Sequence, residues 1–221
     1  KVANVFYGVF TYLTSMSESK TFSNSDGAEL VRMARKAVTE ILRNDSKISD
    51  TTFDSKFDFS SGVFVTLTRQ GSLRGCIGFP LPVKKLSEGL IDAAISAATH
   101  DARFSPVTAD ELDEIVFEVT VLTPPVEIKV NQPSEYLMDI KVGRDGLIVE
   151  NLHMSGLLLP QVPTEYGWNV EEFLEYTCQK AGLEKDAWKD RGTKISRFQG
   201  VIFKEECPNG NIIRESSDDF L

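Results

Sequence analysis

Histidine and cysteine, on which many metal and nucleophile sites depend, are scarce in this chain. The sequence contains two histidines, His100 and His153, and three cysteines, Cys76, Cys178 and Cys207. The cysteines are odd in number and widely spaced, which argues against a disulfide framework and against a CxxC metal knuckle. No zinc-ligand spacing joins them to either histidine. The sequence therefore predicts no metal site and favours a reducing, cytoplasmic location.

Motifs for nucleotide binding and for common hydrolytic chemistry are also missing. The chain has no GxGxxG fingerprint, Walker loop, HExxH pair or GxSxG elbow. Dinucleotide, P-loop, zincin and α/β-hydrolase functions are therefore not supported. We predict that the protein uses no cofactor.

Positive charge is in deficit, and long apolar runs are absent. The 33 acidic residues outnumber the 24 basic ones, giving a net charge of −9. This acidic balance argues against a nucleic-acid partner and against an anionic membrane surface. The apolar stretch at residues 2–13 is interrupted by Asn4 and Gly8 and is far shorter than the ~20 residues of a membrane span. We expect residues 1–13 to dock on the core as a strand or helix.

The remaining composition is that of an ordinary soluble protein. The 221 residues are 41% hydrophobic and 26% charged, and a chain of this length buries about 70% of its unfolded surface. No internal repeat or low-complexity linker divides it. We therefore predict one domain over residues 1–221.

A β-hairpin is predicted at the centre of the chain. Residues 63–69 alternate between apolar and polar, and a Gln70-Gly71 turn leads to the segment SLRGCIGFP at residues 72–80. A regular two-residue loop sets Cys76 opposite Val65 and Arg74 opposite Leu67, so that Arg74 and Cys76 share a face. Leu73, Gly75 and Ile77 then lie on the other face. Because both faces look covered, we predict that this strand is central in its sheet.

Periodicity elsewhere predicts interspersed helices and strands. Helices are expected at residues 26–43, 86–99 and 169–181, single strands at 115–122, 156–159 and 195–203, and a second hairpin pairing 137–142 with 147–152 around Asp145-Gly146. The tail at residues 215–221 is expected to fray. Strands that come mostly as hairpins favour an α+β fold with an antiparallel or mixed sheet flanked by helices.

Two features of the strands point to close contacts. Gly75 and Gly78 flank Cys76, and glycines within a strand indicate that another group approaches the backbone closely. That group is either a ligand or the alanine-rich helix at 86–99. Glu118 lies among apolar residues, where an unpaired carboxylate is costly or shifts its pKa upward, so we expect Arg74 or Arg103 as its partner.

The residues leave three functional interpretations open. In the first, Cys76 is a nucleophile, Arg74 favours its thiolate, and Asp101, Arg103 or Glu118 orients a substrate. In the second, Arg74 and the glycine backbone bind a small ligand without covalent chemistry. In the third, the motif shapes a surface for another protein and the chain is not an enzyme.

The hexapeptide LRGCIG at residues 73–78 resembles the signature of the AMMECR family. Other segments are similar to that family in order along the chain: GVFVTLTR at 62–69, DARFSPV at 101–107, EVTVLTPP at 118–125, VGRDGLIV at 142–149 and LLLPQVPTEYGW at 157–168. The resemblance covers residues 26–206.

The resemblance carries its own expectations about structure and function. It implies two unequal α/β subdomains with a cleft between them and the hexapeptide near that cleft. It implies no established reaction. It also implies a partner in an enzymatic pathway, with Memo-type and radical-SAM proteins as the associated classes.

Overall fold

The computed structural model describes residues 22–48 and 55–215, which form two antiparallel sheets with helices packed against them. The helices are α1 (Asn24–Asn44), α2 (Leu86–Thr99), α3 (Tyr136–Asp139), α4 (Gln161–Tyr166) and α5 (Val170–Lys180). The strands are β1 (Val63–Arg69), β2 (Ser72–Phe79), β3 (Ile115–Leu122), β4 (Val126–Glu127), β5 (Gly146–Asn151), β6 (Met154–Leu158), β7 (Lys194–Phe198), β8 (Gly200–Glu205) and β9 (Ile212–Glu215). Short 3-10 turns span Ser55–Phe57, Ala109–Glu114, Pro133–Glu135 and Ala187–Lys189.

Sheet order confirms the α+β class. The larger sheet has the order β2-β1-β3-β8-β9, and the smaller has the order β4-β7-β5-β6. Every strand pairing in both sheets is antiparallel. Each sheet has its own hydrophobic core, and the core of the larger sheet includes the buried faces of α1 and α2.

Helix α1 begins at a reciprocal capping box and lays an apolar stripe on the larger sheet. The Ser23 side chain accepts from the Asp26 N–H, and the Asp26 carboxylate accepts from the Ser23 N–H. Such a box satisfies main-chain donors that a helix start leaves unpaired. Its buried stripe is Leu30, Val31, Met33, Ala34, Ala37 and Val38.

Helix α2 lies directly against strand β2. A Cβ added to Gly75 would come within 2.1 Å of the main-chain oxygen of Ala97, so no side chain fits there. Gly78 instead faces the ring of Phe64, which a Cβ would approach to 2.3 Å. Close packing of the helix therefore explains the glycine at position 75, and the nearby Phe64 ring explains the glycine at position 78.

The first hairpin forms as predicted, but its register differs from the predicted one. Gln70 and Gly71 have φ of 52° and 76°, the pair of positive values that a type I′ turn requires. The register shifts between Leu67 and Thr68, so that Cys76 lies opposite Thr66 and Arg74 is the extra residue of a bulge. The predicted pairings of Cys76 and Arg74 were wrong because a bulge moves each later residue by one position.

Strand β2 is an edge strand, which corrects the prediction that it is central. Its covered faces misled the sequence argument, because a strand buried on both faces need not have a neighbour on both sides. Its outer edge is covered by the segment at residues 101–106, which hydrogen-bonds to it through side chains and carbonyls.

The second hairpin pairs different segments from those predicted. Strand β5 pairs with β6, not with residues 137–142. The predicted strand contains the short helix α3 and a loop that closes on Asp145, whose carboxylate accepts from the Lys141 N–H at 2.9 Å. Asp145-Gly146 is therefore the entry to a strand and not a hairpin turn.

The predicted strand at 195–203 is two strands in different sheets. Strand β7 belongs to the smaller sheet and β8 to the larger, and the chain crosses between them at Gln199. The Gln199 N–H donates to Thr123 Oγ1 at 2.8 Å, which ties the crossing to the end of β3. Strands β4 and β9 and helix α4 were not predicted. The expectations for residues 1–13 and for the tail beyond residue 215 lie outside the described residues.

In the described part of the chain, no helix combines the length and the apolar character that crossing a bilayer requires.

Candidate functional site

One face of the larger sheet is closed by helices, while the other carries a line of polar side chains. Val63, Val65 and Leu67 of β1 are fully buried on the helix side. On the opposite side, directly paired residues of four strands form what we call the polar row: Cys76, Thr66, Glu118 and Lys204.

An apolar cluster borders the polar row. The neighbouring residues on the same face include Phe64 and Leu122. They pack against side chains of the smaller sheet and of the loop after β6. The cluster consists of Phe64, Leu122, Ile148, Leu157, Leu159 and Phe198. Polar and titratable groups thus lie at the margin of a hydrophobic contact between the two sheets.

Cys76 is half-buried, and its main chain is held by two side chains from the segment that follows α2. The Cys76 N–H donates to Asp101 Oδ2 at 2.9 Å, and its carbonyl accepts from Arg103 Nη2 at 3.1 Å. These two contacts replace those of a neighbouring strand. Across β1, Thr66 Oγ1 lies 3.5 Å from Cys76 Sγ.

Asp101 and Arg103 form a charged pair at this position. Arg103 donates to both carboxylate oxygens of Asp101, from Nε at 2.9 Å and from Nη2 at 2.7 Å. These bonds, together with the main-chain N–H groups of Cys76 and Arg103, hold the pKa of the Asp101 carboxyl well below its usual range. The pKa of Arg103 is raised, chiefly by its bond to Asp101 and to a lesser degree by the adjacent Cys76 sulfur.

Arg74 makes its hydrogen bonds to the segment that follows α2, and its role in favouring the Cys76 thiolate stays a prediction. It donates to Glu111 Oε1 at 3.0 Å and Oε2 at 3.1 Å, and to the carbonyls of Ser105 at 2.8 Å and Pro106 at 3.3 Å. The Arg74 bond is the main reason that the pKa of Glu111 falls to about 2. Arg74 therefore anchors the 105–111 segment to the edge of the sheet.

Glu118 has neither of the arginine partners predicted for it, since Arg74 pairs with Glu111 and Arg103 with Asp101. Desolvation raises the pKa of the Glu118 carboxyl, against the weaker opposing effects of the Lys204 charge and a hydrogen bond from Thr66. A half-buried carboxyl with a raised pKa is typical of acid–base sites as well as of some structural networks.

Among the described residues, no group of three or more His, Cys, Asp or Glu side chains is arranged to hold a metal ion.

The family model described as AMMECR1 matches residues 31–203. The chain belongs to the AMMECR1 family.

AMMECR1-family relatives from archaea match most of the chain. A protein of Methanocaldococcus jannaschii is 52% identical over 192 residues, covering 86% of this chain and 95% of the relative. A protein of Thermococcus onnurineus is 54% identical over 196 residues, with coverage of 86% and 95%. The crystal structure of an uncharacterized protein from Pyrococcus horikoshii has a TM-score of 0.69 and 50% identity, covering 86% of this chain and 97% of that one.

The AMMECR1 hexapeptide is divided between different environments in this chain. Gly75 and Ile77 face the helix-side core, Leu73 is 43% exposed, and Arg74 lies at the sheet edge. Cys76, Gly78 and, beyond the bulge, Leu73 lie on the face that carries the polar row. Asp101 and Arg103 reach Cys76 from outside the strand, and Glu118 reaches the row from β3.

Two members of the row, Thr66 and Lys204, were missed by the sequence argument. Thr66 is the residue next to Cys76 across the hairpin, and a regular register hides that relationship. Lys204 lies opposite Glu118 only because β8 pairs with β3. The alternation of β1 was the one available signal, since it places Thr66 and Phe64 on a common face.

Proposed function

We propose that this AMMECR1-family protein binds a small molecule over the polar row, in a cleft between its two sheets. The observation that carries the proposal is the position of Glu118, a desolvated carboxyl without an arginine partner, two strands away from a half-buried thiol. Small-molecule sites typically combine apolar walls with a few convergent polar groups. Here the apolar cluster would supply the wall, and Cys76, Thr66 and Glu118 would supply the polar contacts.

The rigid support of Cys76 favours this proposal. Asp101 and Arg103 hold the Cys76 main chain from the sheet edge, and Gly75 lets α2 press on β2 from behind. Binding groups held by packing and charged hydrogen bonds lose little entropy when a ligand arrives. Asp101 and Arg103 would therefore support the site by fixing the position of Cys76.

A thermal-shift screen of small polar metabolites tests the proposal. A ligand of the folded state raises the melting temperature with concentration. The test protein is Cys207→Ser, in which Cys76 is the accessible thiol because Cys178 is buried. A hit should lose its effect when N-ethylmaleimide has been attached to Cys76, since the added ring would cover the row. Hits that shift both forms equally, or a full panel without a shift, would contradict the proposal.

A second candidate function is recognition of another protein, and a specific surface favours it. Trp168 is stacked between Tyr166 and Tyr176, with ring centroids 5.0 Å and 4.0 Å apart. Tyr166 is 68% exposed and Tyr176 is 42% exposed. Tyrosine and tryptophan are enriched among residues that dominate interface energies.

The second candidate is tested by direct binding to a purified Memo-type or radical-SAM protein, the classes that the family resemblance implies. Tyr166→Ala combined with Tyr176→Ala should weaken such binding at least about tenfold, as expected for central aromatic contacts. Alkylation of Cys76 should leave it unchanged. If the tyrosine changes have no effect on a measured complex, the stack is not the interface.

A further inference from the structure

We propose that Cys76 is a reactive thiol whose proton leaves through Thr66 to Glu118, and that the site takes a small carbonyl compound to which the sulfur adds. This inference rests on the proposed ligand site and names its chemistry. Three adjacent strands, β2, β1 and β3, bring the three side chains into one line.

The hydroxyl of Thr66 is the link between sulfur and carboxyl. Its Oγ1 donates to Cys76 Sγ at 3.5 Å, and the same hydroxyl lowers the pKa of the neighbouring Glu118 carboxyl by hydrogen bonding. A hydroxyl can accept one hydrogen bond while it donates another. When the hydroxyl turns to donate to Glu118, Thr66 can therefore receive the thiol proton as its own hydrogen passes to the carboxylate.

Glu118 is suited to the role of base. It lies directly opposite Thr66 on β3, and burial raises the pKa of its carboxyl, which strengthens it as a proton acceptor. The other charges that face it are Lys204 on β8 and, beyond it, Glu215 on β9, which pairs with Lys204. Because Lys204 is engaged by Glu215, the Glu118 charge is not tied to a fixed ion pair.

Arg103 is placed to hold the oxygen of the ligand. Its Nε and Nη2 are used by Asp101 and by the Cys76 carbonyl. Within the described part of the chain its Nη1 makes no hydrogen bond, and the side chain is 56% exposed. An arginine N–H beside a thiol offers a donor to an oxygen that gains negative charge.

The reaction is an addition that balances without a leaving group or a redox partner. The thiol proton passes through Thr66 to Glu118 as the sulfur electron pair forms a bond to the carbonyl carbon. The carbonyl π pair moves onto the oxygen, which accepts from Arg103 Nη1. The proton then returns from Glu118 to that oxygen, and the product is a hemithioacetal.

The test measures how fast iodoacetamide alkylates Cys76 at pH 7, by peptide mass, with the exposed Cys207 as internal reference. Cys76 should react faster than Cys207 in the wild type. Glu118→Gln and Thr66→Val should each lower the Cys76 rate at least about tenfold, since an unassisted thiol is only about a few per cent thiolate at pH 7. Thr66→Ser should restore it, because serine keeps the hydroxyl.

Thr68→Val is the matched control. Thr68 lies on the same face of β1, two residues from Thr66, and pairs with Leu73 and Val116. It should leave the alkylation rate unchanged. Wild-type rates at Cys76 no greater than at Cys207, or a Glu118→Gln protein that alkylates as fast as wild type with an unchanged melting temperature, would overturn the relay.

Acetaldehyde is the probe for the ligand class. At concentrations that leave Cys207 fully reactive, it should slow alkylation of Cys76, and gel filtration should restore the rate. Equal protection of both thiols, or none, would overturn the assignment to carbonyl compounds. The metabolite screen distinguishes failure of the ligand site from failure of the proton relay. If a ligand is lost when Cys76 is blocked, while Glu118→Gln alkylates as fast as wild type, the ligand site is supported and the relay is not.

Discussion

The carboxylate of Asp101 accepts a hydrogen bond from the main-chain N–H of Cys76 at 2.9 Å, across the open edge of the larger sheet. Edge strands present unpaired main-chain groups that attract other chains. Here a carboxylate satisfies the donor of Cys76, and Arg103 satisfies its acceptor. The motif DARFSPV and the hexapeptide thus form one structural unit although α2 separates them in sequence.

Asp101→Asn should lower the free energy of unfolding by about 2 kcal/mol, the range of hydrogen bonds to a charged group. The amide keeps the shape of the carboxylate but turns an N–H group towards donors of Cys76 or Arg103. Urea unfolding at pH 7 measures the change. Asp110→Asn, at an exposed carboxylate of the nearby 3-10 turn, should stay within about 0.5 kcal/mol of wild type. Equal stability of the two variants would refute the role of Asp101.

Glu111 should give the protein a measurable acid sensitivity. Its pKa of about 2 in the fold lies below the ordinary value of 4.5, so its contribution is full above about pH 4.5 and disappears as the pH falls through 2. The difference in unfolding free energy between wild type and Glu111→Gln should reach about 3 kcal/mol at pH 6 and shrink towards zero near pH 2.

Glu114→Gln is the control for that experiment. Glu114 is 45% exposed and pairs with Arg69 at the surface, where an ion pair contributes less than about 1 kcal/mol. Its effect should be small at every pH. A Glu111→Gln difference that stays constant from pH 6 to pH 2 would show that the carboxylate charge does not matter.

Gly75→Ala should be strongly destabilising, because the new methyl group meets the Ala97 carbonyl and not a flexible side chain. The helix or the strand must move, and overpacking of this kind costs roughly 1–3 kcal/mol or more. Chemical denaturation measures it. Gly192→Ala, whose Cβ would have its nearest neighbour at 3.9 Å, should be close to neutral. A well-folded Gly75→Ala protein of wild-type stability would mean that α2 does not rest on β2.

Local features were predictable from the sequence because local rules determine them. The Gln70-Gly71 turn, the amphipathic stripe of α1 and the alanine-rich α2 each depend on residues close in the chain. These elements and the α+β class are confirmed.

The arrangement of the candidate site depends on long-range contacts, which local sequence rules do not predict. The bulge at Arg74 moved Cys76 opposite Thr66, and a bulge in a short strand leaves no periodic signal. Glu118 reaches the row through the β1–β3 pairing, between residues far apart in sequence. The partners of the two candidate arginines, Glu111 for Arg74 and Asp101 for Arg103, are set by how the segment after α2 folds onto the edge.

The pair of Arg35 and Glu205 should be the most costly charge contact to break. Arg35 donates to Glu205 Oε1 from Nε at 2.6 Å, and also to the carbonyls of Leu112 and Ile115. Glu205 is 3% exposed and accepts in addition from the Phe117 N–H at 3.0 Å. The pair therefore joins α1 to β8, to the 3-10 turn at Leu112 and to the start of β3 at Ile115.

Glu205→Gln leaves Arg35 buried beside a neutral amide, and breaking a buried pair in this way costs roughly 3–5 kcal/mol. Urea unfolding at pH 7 measures the loss. Glu171→Gln is the comparison, since Glu171 pairs with Lys189 where both side chains are about half exposed, and its change should fall below about 0.5 kcal/mol. Similar losses for the two variants would contradict the prediction, because burial is the property that distinguishes the pairs.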